Sequence, residues 1–529
     1  MTKFTRRHFI RLAGAGAATA VIAACTPNTT TPTPTLPSTG IPATLSPAPL
    51  PAPIAVANAD FLPDVEIALS AVEDTAVIFP NINTNVWRIK GELLKGDANA
   101  LQLIPDSYLG PIIRVRKGQK VRIHFTNELP EESIIHWHGL HVPANMDGHP
   151  QYAIETGQSY VYEFEVLNRA GTYWYHPHPH GRTGPQVYAG MAGLFLISDE
   201  EEDVANLPSG EYDIPLVLQD RRFDDDGQLV YLGNGMMDTM MGFLGDQLLI
   251  NGKPDVTLPV ATRAYRLRFL NGSNSRIYKL GWEDGTPLTI IGTDGGLLEK
   301  PVERPYVMLA PAERIELWVD FNGRSLESEL NLVNLPFTTG EIQSGQFPIL
   351  TFKIEREATD NVTLPERLST PVFHATADSE RTRIVELLMQ GGWTLNGRTF
   401  EMLGVTEDET IPLGAIETWE FRNDVASSSG GGMGGGMGMM NSRLPHPMHM
   451  HGESFQVIER EINADGQAAW DTVSEGFVDE GWKDTVLVMP GSRVKVLRRF
   501  GDYAGLFIYH CHNLEHEDMG MMRNFEVKA

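Results

Sequence analysis

At 529 residues, with 42% hydrophobic, 21% charged and 9% aromatic content, the chain has room for about three domains of roughly 150 residues each. A formal charge of −26 argues against nucleic acid as a partner, because phosphate binding needs a basic face; solubility is the plain reading of that charge. Two cysteines in unlike segments, Cys25 and Cys511, argue against a structural disulfide, and 51 glycines with 35 prolines favour a turn-rich β protein over helical bundles.

Residues 1–25 read as a leader. Arg6 and Arg7 precede an apolar, small-residue run to Ala24, shorter than the ~20 residues of a membrane-spanning helix. The order of basic, apolar and small residues resembles a twin-arginine export signal. The run ends VIAAC, with Cys25 where a bacterial lipoprotein signal places its lipidated cysteine. The expected location is therefore the periplasm or the outer face of the cell membrane, with a lipid anchor at Cys25. Residues 26–59, rich in Thr and Pro, read as a tether with no core-forming pattern.

From about residue 60 the chain reads as short strands broken by Gly, Pro and Asn turns. One unit recurs three times. It opens with GPIIRVRKGQKVRIHFTNEL (Gly110 to Leu129), LPVATRAYRLRFLNGS (Leu258 to Ser273) and IPLGAIETWEFRND (Ile411 to Asp424). Each joins a turn to an alternating stretch, the pattern of a half-buried antiparallel strand. A second element follows in each unit: ETGQSYVYEFEV, LAPAERIELWVDF and VMPGSRVKVLRRF. In the first and third units it leads to a matched pair, AGTYWYHPH and AGLFIYHCH; the middle unit lacks those histidines. The expected fold is all-β, with three Greek-key β-sandwich or barrel domains over 60–206, 207–365 and 366–529.

Ten of the sixteen histidines fall in four clusters: IIHWHG (His136, His138), YHPHPHG (His176, His178), HPMHMHG (His446, His449, His451) and YHCHNLEHEDMGM (His510, His512, His516). Alternate residues of a strand share a face, so each pair presents two imidazoles to one cavity. His510 and His512 point one way and Cys511 the other, which lets one short segment serve two metal sites. A thiolate, imidazoles and the thioether of Met521 are the ligand types of a blue-copper electron-transfer site. Four clusters, one built around a thiolate, are not core histidines. His141, His149 and His180 lie near these motifs and read as surface residues or supports for the ligands.

These motifs, in this order, resemble the multicopper oxidases, a family that includes laccases, copper-efflux cuprous oxidases and bilirubin oxidases. Within it the bacterial three-domain efflux oxidases are most similar, through HWHG, HPHPHG, GWKDT (Gly481 to Thr485) and HCHNLEHEDMGMM. The resemblance implies three cupredoxin-like domains, four copper ions and a monomer. It implies a type 1 copper on His446, Cys511 and His516 with Met521 axial, and a type 2 copper on His136 and His449. It further implies one type 3 copper on His138, His176 and His512 and another on His178, His451 and His510. Electrons taken one at a time at the type 1 site would reach the trinuclear cluster through Cys511, where dioxygen becomes water; Glu517 and Asp147 match family positions that donate protons.

The implied donors are phenols, aromatic amines or Cu(I), since an axial Met gives a moderate potential. Two methionine clusters, Gly430 to Met440 and Gly235 to Met241, offer soft ligands to Cu(I). Ser442 and Leu444 depart from the efflux oxidases, which place an acidic residue and a Met just ahead of the third motif. A non-catalytic copper carrier needs only the type 1 set and leaves eight histidines unexplained, whereas a copper-free scaffold of this fold predicts eroded ligands, and none is eroded.

Overall fold

A computed structural model describes residues 56–338, 345–359, 362–389, 392–424 and 444–529. The leader, Cys25, residues 26–55 of the tether and the Met/Gly stretch with Ser442 lie outside those residues. Among the described residues the strands form six sheets, which make three two-sheet units in chain order. The first unit joins a four-stranded and a five-stranded sheet; the second and third each join a six-stranded and a five-stranded sheet. Each unit encloses its own apolar core, around Trp137 and Phe125, around Phe269 and Leu317, and around Trp419 and Phe525. This is the expected all-β architecture of three cupredoxin-like sandwiches.

The recurring strands occupy equivalent places. Lys120–Asn127, Ala264–Asn271 and Ile416–Asn423 each pair antiparallel on one side, with Ser159–Glu165, Arg314–Asp320 and Ser492–Arg499. On the other side each pairs parallel, with Val65–Val77, Asp213–Arg221 and Arg381–Leu388. The reading of these strands as purely antiparallel is thus corrected. Each parallel neighbour is reached by a long crossover connection in place of a hairpin.

Half-burial also fails for Ala264–Asn271, which is buried along its whole length. Its Arg266 and Arg268 face a charged layer, not water. Both guanidinium groups pair with Glu316 and Glu202, and Arg268 also reaches Asp213 at 2.6 Å. Thr172 of the first unit donates to Glu316 at 2.6 Å. The alternation is therefore real, but its polar face is consumed by the seam between the first two units.

Two hairpin-like pairs position the functional residues. In the first unit Ile135–His138 pairs antiparallel with Gly171–Pro177, setting His136 opposite His176. In the third unit His446–Met450 pairs antiparallel with Gly505–Cys511, setting His449 opposite His510. The same register in two units delivers two equivalent sets of imidazoles to one seam.

Candidate metal centre

All twelve residues expected to bind metal are buried. The eight histidines of the proposed trinuclear set converge where the first and third units meet, and His446, Cys511 and His516 form a separate group on the other face of the strand Gly505–Cys511. The alternation of His510, Cys511 and His512 performs that division, although the strand itself ends at Cys511 and His512 opens the following turn.

The hydrogen bonds fix which nitrogen carries a proton in several of the rings. A carbonyl oxygen can only accept, so a ring nitrogen bonded to one must be N–H. His136 Nδ1 donates to the Asp147 carbonyl at 2.6 Å, and His449 Nδ1 donates to the Asp484 carbonyl at 2.8 Å. Their Nε2 lone pairs are left facing each other at 3.4 Å. His176 Nδ1 donates to the Pro177 carbonyl at 2.8 Å, and its Nε2 faces His138 Nδ1 at 3.4 Å. His451 Nδ1 donates to the Asp147 carboxylate at 2.8 Å and His510 Nδ1 pairs with Glu517 at 2.9 Å; their Nε2 atoms stand 3.3 Å apart. His178 Nε2 lies 3.5 Å from His510 Nε2. Both ring nitrogens of His512 and the Nδ1 of His178 are buried without a partner, and the His512 ring centroid lies 5.0 Å from that of His138 and 5.2 Å from that of His176.

Facing lone pairs repel unless a cation stands between them. Two nitrogens about 2.0–2.1 Å from one tetrahedral ion sit roughly 3.3–3.4 Å apart, the separation seen here. Burial holds His138, His176, His178, His449, His451 and His512 well below the usual imidazole range, so these rings are neutral, the form that binds metal. The residues fit a cluster of soft-to-borderline metal ions.

At the second group, His446 Nδ1 lies 3.4 Å and His516 Nδ1 3.9 Å from Cys511 Sγ. Burial pushes the Cys511 thiol well above its ordinary range, so a thiolate is stable here only beside a cation. Burial also brings His516 down to about 4. Met521 is fully buried in the same apolar cluster as Cys511, and its carbonyl accepts from the Cys511 amide at 3.0 Å. His516 Nε2 donates to the Met240 carbonyl at 3.2 Å. The methionine stretch of the middle unit, a short helix Met236–Met241, therefore lies against the thiolate group, with Met236 71% and Met237 50% exposed. Leu444 is buried.

The two expected proton carriers differ. Asp147 is 1% exposed, and burial raises its carboxyl against the opposing effect of His136; its Oδ1 has no hydrogen-bond partner. Burial also raises Glu517, but His510 and His178 outweigh it and bring the carboxyl down to about 2. Of the nearby histidines, His149 is buried and donates to Asn524 Oδ1 at 3.0 Å, and His141 pairs with Asp502 at 3.0 Å. His180 packs beside Phe400 without joining the cluster.

Sequence reasoning missed Asp484. Its carbonyl holds His449 and its carboxylate reaches His138 Nε2 at 3.1 Å. It lies in the GWKDT motif, 33 residues beyond His451, whereas Asp147 follows His138 closely; only the likeness between units could have pointed to it.

Residues 85–202 and 370–529 each match a family model described as multicopper oxidase. A multicopper oxidase of Staphylococcus aureus is 33% identical over 440 residues, spanning 83% of this chain and 86% of that one. A laccase of Haloferax volcanii is 32% identical, spanning 100% and 92%. Among solved structures, the multicopper oxidase McoA of Aquifex aeolicus superposes with a TM-score of 0.74 at 34% identity, covering 89% of this chain and 97% of that one. With an intact cluster of facing imidazoles and a buried thiolate group, the chain belongs to the multicopper oxidase family and is a copper-dependent oxidase.

Proposed function

We propose that the chain oxidises phenols, aromatic amines or Cu(I) one electron at a time and reduces dioxygen to water, using four copper ions. His446, Cys511, His516 and Met521 would hold the type 1 ion, and His136 with His449 the type 2 ion. His138, His176 and His512 would hold one type 3 ion, and His178, His451 and His510 the other. The observation that carries this reading is the set of buried imidazole lone pairs facing each other at 3.3–3.5 Å. Copper, when bound, supplies one-electron exchange and the reduction of dioxygen, which a redox-inert ion such as zinc does not.

The chain supplies position, insulation and protons. Carbonyls of Asp147, Pro177 and Asp484 orient three of the rings, as supports around metal ligands do. Cys511 sits between His510 and His512, so one run of backbone joins the thiolate to both imidazoles. Asp147 keeps an unpartnered oxygen beside the cluster and is disposed to hold a proton there; Glu517 stands 2.9 Å from His510 Nδ1 with both carboxylate oxygens free of hydrogen bonds, and is the natural acceptor. Proton supply by this pair matches the demand of dioxygen reduction.

The donor meets the chain over His516, where the helix Met236–Met241 presents exposed thioethers. This favours Cu(I) as a donor alongside phenols, because thioethers are soft ligands. Export by the twin-arginine route, a lipid anchor at Cys25 and a monomeric state complete the reading; the leader motif supports the first two. The test is oxygen uptake by copper-loaded protein with a phenol and with Cu(I), scored for peroxide. Water as product with about four electrons per dioxygen is expected, and an intact, loaded sample that consumes no oxygen with any donor refutes the function. Replacing Met236 and Met237 by Leu should raise KM for Cu(I) and spare the phenol; an unchanged KM removes the thioethers from the donor site.

A further inference from the structure

The middle unit provides no histidine to the cluster, yet one of its side chains reaches the cluster's supports. Arg314, at the start of the strand Arg314–Asp320, is fully buried. All five of its N–H donors are used. Nε donates to the Thr172 carbonyl of the first unit at 2.9 Å. Nη1 donates to the Ala312 carbonyl at 2.9 Å and Nη2 to the Asp294 carbonyl at 2.9 Å. The remaining two donors form a two-pronged pair with the Asp484 carboxylate of the third unit, Nη1 at 2.7 Å and Nη2 in close contact. One guanidinium thus ties the three units together at a single aspartate.

That aspartate touches the one ring that is turned round among the six whose supports are seen. His136, His176, His449, His451 and His510 all engage a support through Nδ1 and leave Nε2 to face a neighbouring imidazole. His138 does the reverse: Nδ1 faces His176, and Nε2 lies 3.1 Å from Asp484 Oδ1 and 3.2 Å from Thr485 Oγ1. Thr485 Oγ1 is itself within 3.0 Å of the same carboxylate oxygen, where its proton is better placed than on the imidazole. His138 Nε2 must then carry the hydrogen, and Nδ1 the lone pair.

Glycine makes room for this arrangement. Gly139 has φ +84°, and a side chain there would overlap the Asp484 carboxylate and stand 2.8 Å from Arg314 Nη2. The glycine of HWHG is the gap through which the carboxylate and guanidinium approach His138.

We infer that Arg314 is a positioning residue of the oxidase: by clamping Asp484 it fixes the inverted orientation and the tautomer of His138, and so makes the middle unit part of the cluster. The inference rests on the reading of His138 as a copper ligand. Asp484→Asn keeps the size of the side chain but can turn an amide donor toward His138 Nε2, which moves the ring proton to Nδ1, where the metal should bind. Loss of a support of this kind weakens metal affinity by about 10–100-fold.

Four measurements decide it. In the wild-type apoprotein labelled with 15N-histidine, His138, identified from the signals lost in His138→Gln, should be the N ε2–H tautomer; an Nδ1–H ring overturns the inference. Asp484→Asn and Arg314→Lys should lose cluster copper, seen as a lower copper count and weaker near-ultraviolet absorption at undiminished blue intensity. Retention of the full copper count in both overturns it. Lys483→Met is the control, because Lys483 belongs to the same buried network, 3.0 Å from Asp294 and 3.1 Å from Glu313, without touching His138. Loss of cluster copper in that variant to the same degree makes the effect merely structural and also overturns it. His138→Gln separates the two readings: if it retains all its copper the ligand assignment fails, and if it alone loses copper only the role of Arg314 fails.

Discussion

Glu515 precedes His516 and holds the methionine helix of the middle unit against it, which makes its removal a direct test of how the thiolate group is covered. The carboxylate is buried and receives four donors: the Phe243 amide at 2.9 Å, Asn274 Nδ2 at 2.9 Å, Tyr231 OH at 2.7 Å and Ser275 Oγ in close contact. Glu515→Leu removes every acceptor at once, but the donors are not equally stranded. Asn274 Nδ2 retains the Gly184 carbonyl at 3.0 Å and Ser275 Oγ retains Asn513 at 2.9 Å. Tyr231 lines a surface cavity and can reach water. Only the Phe243 amide is left buried and alone, at a cost of about 1–3 kcal/mol, with about 0.5–1.5 kcal/mol for each bond lost elsewhere. The sum is about 2.5–7.5 kcal/mol, concentrated on the segment after Met241. Hydrogen exchange followed by mass spectrometry should show peptides covering Phe243 losing protection, while strands of the first unit keep theirs. Glu515→Gln, which keeps one acceptor oxygen, should lie between. Unchanged protection around Phe243 in Glu515→Leu would refute the reasoning.

Cys511→Ser should abolish the intense blue absorption while copper still binds at the histidine cluster; a persistent blue band contradicts the thiolate assignment. Gly148→Ala should displace the turn that carries Asp147. At φ +80° an added Cβ would lie 2.6 Å from Ile135 C and 2.7 Å from His136 Cα, so the carbonyl holding His136 must move, and the copper count should fall without loss of blue colour. His149 gives a pH signature, because burial lowers it to about 4 against the opposing bond to Asn524. A histidine near 6.5 when unfolded takes up its proton first in the unfolded chain, so stability is intact above about pH 6.5 and falls by about 3 kcal/mol as pH drops to 4. Denaturation of the apoprotein with and without His149→Gln should diverge over that window; parallel curves exclude the effect.

The histidine cluster, the thiol group and the strand framework were legible because all are written in local spacing. Period-two alternation divides His510 and His512 from Cys511, and the threefold recurrence of turn and strand marks the units before any contact is known. What stayed hidden is what only the assembled seams decide. The arginines of Ala264–Asn271 alternate as a solvent face does, yet they are buried against Glu316 and Glu202. Asp484 and Arg314 lie 170 residues apart, and no local pattern joins them. The cover over His516 was equally illegible, since GMMDTMM reads as a cluster of soft ligands with no fixed neighbour until the Met240 carbonyl is found at His516 Nε2.

The seam also explains how two nearly equivalent halves acquire different duties. Asp147 of the first unit holds His136 with its carbonyl and His451 with its carboxylate; Asp484 of the third holds His449 with its carbonyl and His138 with its carboxylate. The two aspartates thus exchange units in the same way, as the paired registers of His136 with His176 and His449 with His510 require. Their second neighbours break the likeness. Asp484 is held by both prongs of Arg314, whereas Arg498 donates to the His451 carbonyl and Asp147 keeps Oδ1 without a hydrogen-bond partner. Asp484 Oδ1 meets three donors, from His138, Arg314 and Thr485, and Oδ2 one, whereas Asp147 Oδ1 meets none. The middle unit, by supplying Arg314 to one side only, clamps that aspartate and leaves the other, the expected proton carrier Asp147, with a free oxygen.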